Sequence, residues 1–129
     1  MHTISHLKMA VSIDAIEAYA NLNVGLPDGP PKYLYREREE CRQVLKRAGF
    51  DGASMSYETR TVEWHLPHAD YYFETEQNAG VRTAGILLRQ SPETLEAIRV
   101  AIRNGIKQYA RGKEFVLPMA AHVVVVARN

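Results

Sequence analysis

Apolar side chains recur at helical spacing in three segments of the chain, and each segment has a recognisable end. Ser12 is a candidate N-cap for the first helix, and Ser91, followed by a proline and a glutamate, is one for the third. Gly25, Gly49 and Gly112 stand where the three helices are expected to end. The apolar stripes are Ile13, Ile16 and Ala20 in the first helix, Cys41, Val44, Leu45 and Ala48 in the second, and Leu95, Ile98, Ile102, Ile106 and Tyr109 in the third.

Two further segments have the pattern of β-strands. Residues 53 to 64 alternate between faces, and the apolar face switches near Arg60, as one extra residue in a bulge would cause. The run from His122 to Ala127 contains four consecutive valines, which predicts a strand covered on both faces. We expect residues 53 to 64 to pair with residues 119 to 127 in antiparallel fashion. The apolar positions of the first strand are Met55 and Tyr57 before the switch, then Val62, Trp64 and Leu66 after it.

Shorter helices are predicted between Pro67 and Gln90. Asp70 is a candidate cap for one helix, which Gly80 ends. A second is expected from Val81 to Gln90, packed by Ile86, Leu87 and Leu88. Two long helices, these shorter ones and a small antiparallel sheet predict an α+β fold, with residues 1–129 forming a single domain.

Composition narrows the classes of partner. The chain has 129 residues, 46% of them hydrophobic, which is typical of one folded domain. Its 16 basic and 15 acidic side chains give a net charge of +1, too small to steer the chain to nucleic acid or to a membrane surface. The longest apolar stretch is much shorter than the ~20 residues that cross a bilayer. Cys41 is the only cysteine, which excludes an internal disulfide and fits a reducing cytoplasm.

An aromatic cluster is the best candidate for a ligand surface. Trp64, Tyr71, Tyr72 and Phe73 offer large apolar area with polar atoms attached, a combination that suits pockets. Core packing explains the same residues equally well. The sequence leaves both interpretations open.

Other reactive residues favour structural roles. Cys41 lies on an apolar stripe and is expected in the core. Basic residues recur every four positions from Arg99 to Arg111, which indicates a solvated helix face with Glu96 available for ion pairs. His65 and His68 flank a proline and lack further metal ligands nearby. We therefore predict no metal site.

Several stretches stand in a familiar order: the turn-rich Pro27 to Pro31, the helix end Leu45 to Phe50 with its L-x-x-A-G-F pattern, Val81-Arg82, the helix reaching Tyr109, and Phe115 to Met119 before the valine strand. In this order they resemble the C-terminal half of class I S-adenosylmethionine-dependent methyltransferases of the broad small-molecule (UbiE-like) group. The resemblance begins at about Val11 and covers most of the chain.

The resemblance implies that cofactor binding and substrate recognition lie in different parts of the methyltransferase. The family binds its cofactor with a glycine-rich turn and a ribose-binding acid, which lie N-terminal to every stretch quoted, and no residue of this sequence matches them. The chain would then be a substrate-recognition domain with no catalytic or cofactor-binding residue of its own. The family uses this region to recognise the methyl acceptor. The resemblance therefore implies that the candidate substrate-binding residues are Trp64, Tyr72, Phe73 and Arg82.

The resemblance also implies an open strand edge. In the family the terminal strand lies between two others, one of which has no counterpart here. Either a separate N-terminal methyltransferase half or a second copy of the chain in a homodimer would cover that edge. Two alternatives stay open: a stand-alone dimeric protein that binds a small apolar ligand, and a folded remnant of a methyltransferase gene.

Overall fold

A computed structural model describes residues 5–29 and 35–129, with side chains described from residue 11 onward in the first helix. Pro30 and Pro31 of the turn-rich motif lie outside the described residues. Within the described ranges the elements, in chain order, are α1 (Ser5–Tyr19), α2 (Arg38–Arg47), β1 (Phe50–Leu66), α3 (Tyr71–Ala79), α4 (Val81–Leu88), α5 (Pro92–Gly105), a 3-10 helix (Lys107–Tyr109), β2 (Ala110–Arg111) and β3 (Glu114–Arg128).

The three strands form one sheet in the order β1-β3-β2. The two-residue β2 pairs antiparallel with the start of β3. β1 and β3 also run in opposite directions, because Ser54 contacts Ala127 whereas Thr59, further along β1, contacts His122, earlier in β3. The predicted α+β class and the predicted antiparallel pair are therefore confirmed.

The chain divides into two compact units. The larger unit contains the described residues as far as Pro27 together with Val62–Met119, and hence α1, α3, α4, α5 and β2. The smaller unit contains the described residues between Asp28 and Thr61 together with Ala120–Asn129, and hence α2. β1 and β3 contribute residues to both units. The single-domain organisation of residues 1–129 stays a prediction.

The larger unit has a continuous apolar core. α1 packs on α5, and α3 packs on α4 and α5. Ile98, Ile102 and Ile106 have no exposed surface, so the four-residue spacing read from the sequence marks the buried face of α5. This helix begins at Ser91, whose Oγ accepts a hydrogen bond from the Thr94 N–H at 3.2 Å. The other core residues are Ala15, Ile16, Leu66, Tyr72, Phe73, Ile86, Leu87 and Leu117.

The smaller unit consists of α2 and a two-stranded part of the sheet. Cys41 and Met55 are its buried apolar side chains among the described residues, which confirms that Cys41 belongs to a core. α2 stops at Gly49, whose φ of +92° is the left-handed conformation that glycine adopts without strain. Arg42 then ties the helix to the strand by donating to the Gly52 carbonyl at 2.8 Å.

Helix boundaries and one helix face differ from the sequence predictions. α1 begins at Ser5, so Ser12 lies inside it and is buried instead of capping it. α1 also ends at Tyr19, before Gly25, and α5 ends at Gly105, before Gly112. Leu88, predicted to pack, is 83% exposed because successive helical residues point about 100° apart and its neighbour Leu87 takes the core position.

The strands show where burial alternates. Met55 is buried and Tyr57 half-buried in the first part of β1, whereas Leu66 is buried and Trp64 half-buried in its last part, as the predicted switch of face requires. Val62, predicted on the same face as Trp64 and Leu66, is 60% exposed. In β3, Val123 and Val125 are 43% and 63% exposed. The expectation that the valine run is covered on both faces is therefore wrong for the chain by itself: neighbouring side chains alternate, and only one face is shielded.

Candidate functional site

A cleft of about 460 Å³ opens beside α1 and α5 in the larger unit. α1 contributes Val11, Asp14, Ala15, Ala18 and Tyr19 to its wall. Ala101 and Gly105 of α5, with Gln108 and Tyr109 of the 3-10 helix, complete it. A volume of this size is within the usual range for a site that holds a small molecule.

Small residues create the cleft. A Cβ placed on Gly105 would lie 2.9 Å from Cγ1 of Val11, so the two helices approach closely at this point only because position 105 is glycine. Ala15, Ala18 and Ala101 have side chains of one carbon and leave the adjoining space unfilled. The cleft is thus an opening between two helices held together at one close contact.

Four polar side chains border this apolar floor. They belong to Asp14, Tyr19, Gln108 and Tyr109, which carry a carboxylate, two hydroxyls and an amide. Among the residues that the structure describes, none of the four side chains has a hydrogen-bond or ion-pair partner. Among the residues whose side chains are described, Asp14 is the one charged member of the lining. The arrangement can therefore accept or donate hydrogen bonds and attract a positive charge.

The four residues predicted to bind substrate lie elsewhere in the larger unit. Tyr72 has 0% exposed surface and Phe73 is buried, so both belong to the core. Trp64 is half-buried against them, its ring centroid 5.3 Å from that of Tyr72. Arg82 is exposed, and its guanidinium donates to the carbonyl oxygen of Pro27. None of the four lines the cleft, and a role for them in binding stays a prediction.

The hydroxyl of Tyr72 explains how a tyrosine is accommodated in this core. Burial raises the pKa of Tyr72, and its hydrogen bonds with Ser12 partly offset that effect. Ser12 is itself buried within α1. Each residue therefore satisfies the other's polar group, as buried hydroxyls require.

An ion-pair cluster joins α5 to the start of α3. Arg99 Nη1 lies 3.0 Å from Asp70 Oδ1, and Arg103 Nη2 lies 2.6 Å from Asp70 Oδ2. Arg99 also binds Glu96. Arg103, by hydrogen bonding, and then Arg99 keep the pKa of Asp70 below its usual value despite some burial.

This cluster contradicts two predictions, the capping role of Asp70 and the fully solvated basic face of α5. Asp70 makes no side-chain capping hydrogen bond to α3, because its carboxylate is held by the two arginines. Arg99 and Arg103 are partly buried in these pairs, so the interpretation of a purely solvated basic face is wrong for them. Lys107 and Arg111 of the same series are exposed, as expected. The availability of Glu96 to Arg99 is confirmed.

Other candidate groups carry no site. His65 pairs with Glu63 at 3.4 Å and Glu114 at 3.3 Å on the surface of the larger unit. Within residues 5–29 and 35–129, no group of three histidine, cysteine or acidic side chains is placed to hold a metal ion. In the same ranges no helix has the length and apolar character needed to cross a membrane.

The sheet of the smaller unit has an open edge. β3 pairs with β1 on one side, and β2 reaches only the first two residues of β3 on the other. From Ala120 onward the described part of the chain supplies no strand to that second side. Glu58 and Arg60 form an ion pair at 3.0 Å on β1, whereas His122 is the sole polar side chain of residues 120–127. The β3 edge lacks the charges that usually protect a free strand.

The cleft is absent from the predictions made on the sequence, although the sequence contains a signal for it. Ala15 and Ala18 lie three positions apart on one helix, and Ala101 and Gly105 lie four apart on another. Pairs of small residues at these intervals mark faces where helices approach closely or leave space. The pattern of large apolar residues does not include them.

Comparison of the chain with protein-family models, with curated proteins and with solved structures gave no match.

Proposed function

We propose that the chain is the substrate-recognition part of a cytoplasmic class I S-adenosylmethionine-dependent methyltransferase and acts with a cofactor-binding half. The motif order from Pro27 to Met119 supports this proposal. The observation that carries it is the open edge of β3 over residues 120–127, to which the described part of the chain adds no strand on the side away from β1. A cofactor-binding half that ends in a strand would complete the sheet there.

An unpaired edge of this kind favours a partner. Backbone N–H and C=O groups that lose water without gaining a hydrogen bond cost roughly 1–3 kcal/mol each. Two strands alone are also marginal as a sheet. The apolar, nearly uncharged side chains of residues 120–127 offer little resistance to strand addition. The partner is a strand of the cofactor-binding half in this proposal, and a second copy of the chain is the competing occupant.

Binding of the cofactor separates these possibilities. The chain alone is expected to show no saturable heat of binding with S-adenosylmethionine, since it has no glycine turn or ribose-binding acid. Mixed with a UbiE-like methyltransferase truncated after its fifth strand, it is expected to form a complex in which binding is restored. The truncated half alone is the control. Saturable binding by the isolated chain, or no complex with the truncated half, contradicts the proposal.

Light scattering and hydrogen exchange test the edge itself. A monomer of 14.6 kDa should show rapid exchange at the β3 amides that point away from β1, and slow exchange at the alternate amides. A homodimer joined at this edge should protect both sets, and Val124→Lys or Val125→Lys should return it to monomer. Slow exchange of both sets in a stable monomer would mean that the edge is already covered.

A further inference from the structure

We infer that the cleft of the larger unit binds a small organic cation, an amine or quaternary ammonium group attached to an apolar body. The volume of the cleft, about 460 Å³, is large enough for such a ligand. This inference concerns α1, α5 and the 3-10 helix, and it does not depend on the methyltransferase proposal. It names a ligand class for a site that none of the predicted substrate-binding residues lines.

Charge selects a cation. Asp14 is the one charged side chain that the described residues contribute to the lining, and no described residue pairs with it. An anionic ligand would meet no positive group among the described lining residues and would be repelled by this carboxylate. A metal ion is also disfavoured, because one carboxylate falls far short of the six or more oxygen ligands that a hard cation takes.

Tyr19 and Tyr109 favour an organic cation in particular. Aromatic faces attract ammonium groups, and tyrosine rings are common in sites that recognise them. Both residues belong to the lining, and neither hydroxyl has a partner in the described chain. The Gln108 amide adds one further acceptor for an N–H donor.

The remaining lining accommodates an apolar body. Val11, Ala15, Ala18 and Ala101 present only hydrocarbon to the cleft. A ligand that combines an ammonium group with a ring or short chain would place the charge at Asp14 and bury its hydrocarbon on the alanines. A strongly hydrated inorganic cation gains nothing from such a floor.

Three compounds with one skeleton test the inference on the intact chain. 3-Phenylpropylamine, 3-phenylpropanol and 3-phenylpropionate differ in charge at one end and share the apolar body. Chemical shifts of backbone amides, followed during titration, give the affinity and locate the site. The amine is expected to bind in the range of about 0.1–1 mM, as for a small ligand in an open cleft. Its preference over the alcohol should be about tenfold, the sum of modest ion-pair and ring contributions.

Variants then test whether Asp14 causes the preference for the amine over the alcohol. Asp14→Asn should remove the difference between amine and alcohol, whereas the matched control Asp28→Asn, in an exposed loop outside the cleft, should retain it. Ala18→Phe should fill the cleft and weaken all three ligands. Far-UV circular dichroism verifies that each variant is folded. The wild-type preference should also fall on addition of salt, a readout that needs no substitution.

Several results would overturn the inference. They are equal affinity for amine and alcohol, tighter binding of the carboxylate, a preference for the amine that survives Asp14→Asn, and shifts confined to residues outside the lining. Absence of saturable binding by any of the three compounds at ~10 mM would overturn it as well.

Discussion

The two units of this chain differ in how many apolar side chains they bury. In the larger unit, Tyr72, Leu66, Leu87, Ile98, Ile102, Ile106 and Leu117 lose essentially all their exposed surface. In the smaller unit, the buried apolar side chains of the described residues are Cys41 and Met55, and neither is completely inaccessible. Burial of apolar area is the dominant favourable contribution to folding. The larger unit therefore has a core of its own, whereas the smaller unit relies on other interactions.

Hydrogen bonds supply a larger share of the stabilisation in the smaller unit than in the larger one. The Tyr57 hydroxyl donates to the Arg36 carbonyl oxygen at 2.6 Å, and its ring stacks on His122 at 4.9 Å. Each such bond contributes only about 1 kcal/mol net. The difference teaches that the smaller unit is the part of this chain with most to gain from a partner strand.

A matched pair of tyrosines gives the largest test of this contrast. Tyr72→Ala in the larger unit should lower the free energy of unfolding by about 3–5 kcal/mol, because it empties a fully buried site and leaves Ser12 without its partner. Tyr57→Ala in the smaller unit should cost only about 1–2 kcal/mol, since Tyr57 is half-buried. Urea unfolding followed by circular dichroism measures both.

The comparison fails if the two losses are equal. A loss below about 1 kcal/mol at Tyr72 would also restore the interpretation of that residue as the wall of a ligand pocket. Phenylalanine at each position is the control, because it keeps the ring and removes only the hydroxyl.

A second contrast concerns charged pairs. Asp70→Asn should destabilise the protein by about 2 kcal/mol at pH 7, because Asp70 is partly buried between two arginines. Glu58→Gln, which breaks the exposed pair with Arg60, should cost less than about 0.5 kcal/mol. Equal effects would mean that the Asp70 cluster is no stronger than a surface ion pair.

The effect of Asp70 should also depend on pH in a definite direction. The folded-state pKa of Asp70 is lowered, so its stabilising contribution is fully present above the unfolded value of about 3.9 and is lost as the pH falls through the lower folded value. The difference in unfolding free energy between wild type and Asp70→Asn should therefore shrink below about pH 4. A difference that is constant from pH 7 to pH 2 would contradict this origin.

These contrasts also separate what the sequence predicts from what it leaves open. The periodicity of α5, its Ser91 cap and the end of α2 at Gly49 are local signals, and they are confirmed. The role of Asp70 is not local, because Arg99 and Arg103 come near it only when α3 packs on α5. The same applies to the cleft, which needs α1 and α5 to meet at Gly105. Interactions between distant segments follow from tertiary packing, and a single sequence carries little record of them.

Helix capping offers a third, smaller contrast. Ser91→Ala should cost about 1 kcal/mol, because it removes the acceptor for the Thr94 N–H at the start of α5. Glu37 is the N-cap residue before α2 in the smaller unit, and its side chain makes no capping hydrogen bond. Glu37→Ser should therefore stabilise the protein by about 0.5–1 kcal/mol, measured by thermal unfolding. Destabilisation by Glu37→Ser would show that Glu37 contributes by another route.

The smallest effects are expected at exposed apolar side chains. Leu88→Gln in the larger unit and Val125→Thr in the smaller unit should each change the unfolding free energy of the monomer by less than about 0.5 kcal/mol, since the two side chains are 83% and 63% exposed. Chemical denaturation at low protein concentration measures both. A larger loss for Val125→Thr alone, growing with protein concentration, would indicate that self-association covers this residue.

The contact between Val11 and Gly105 has a consequence for how the protein can change over time. At this contact the spacing between α1 and α5 depends on two side chains, one of which is a single hydrogen atom. Gly105→Ala would push the helices apart by tenths of an ångström, and Val11→Ala made at the same time would allow them to close again. Substitutions at positions 11 and 105 could therefore change the size of the ligand that the cleft accepts during evolution. The preferred charge of the ligand would stay the same, because it depends on Asp14.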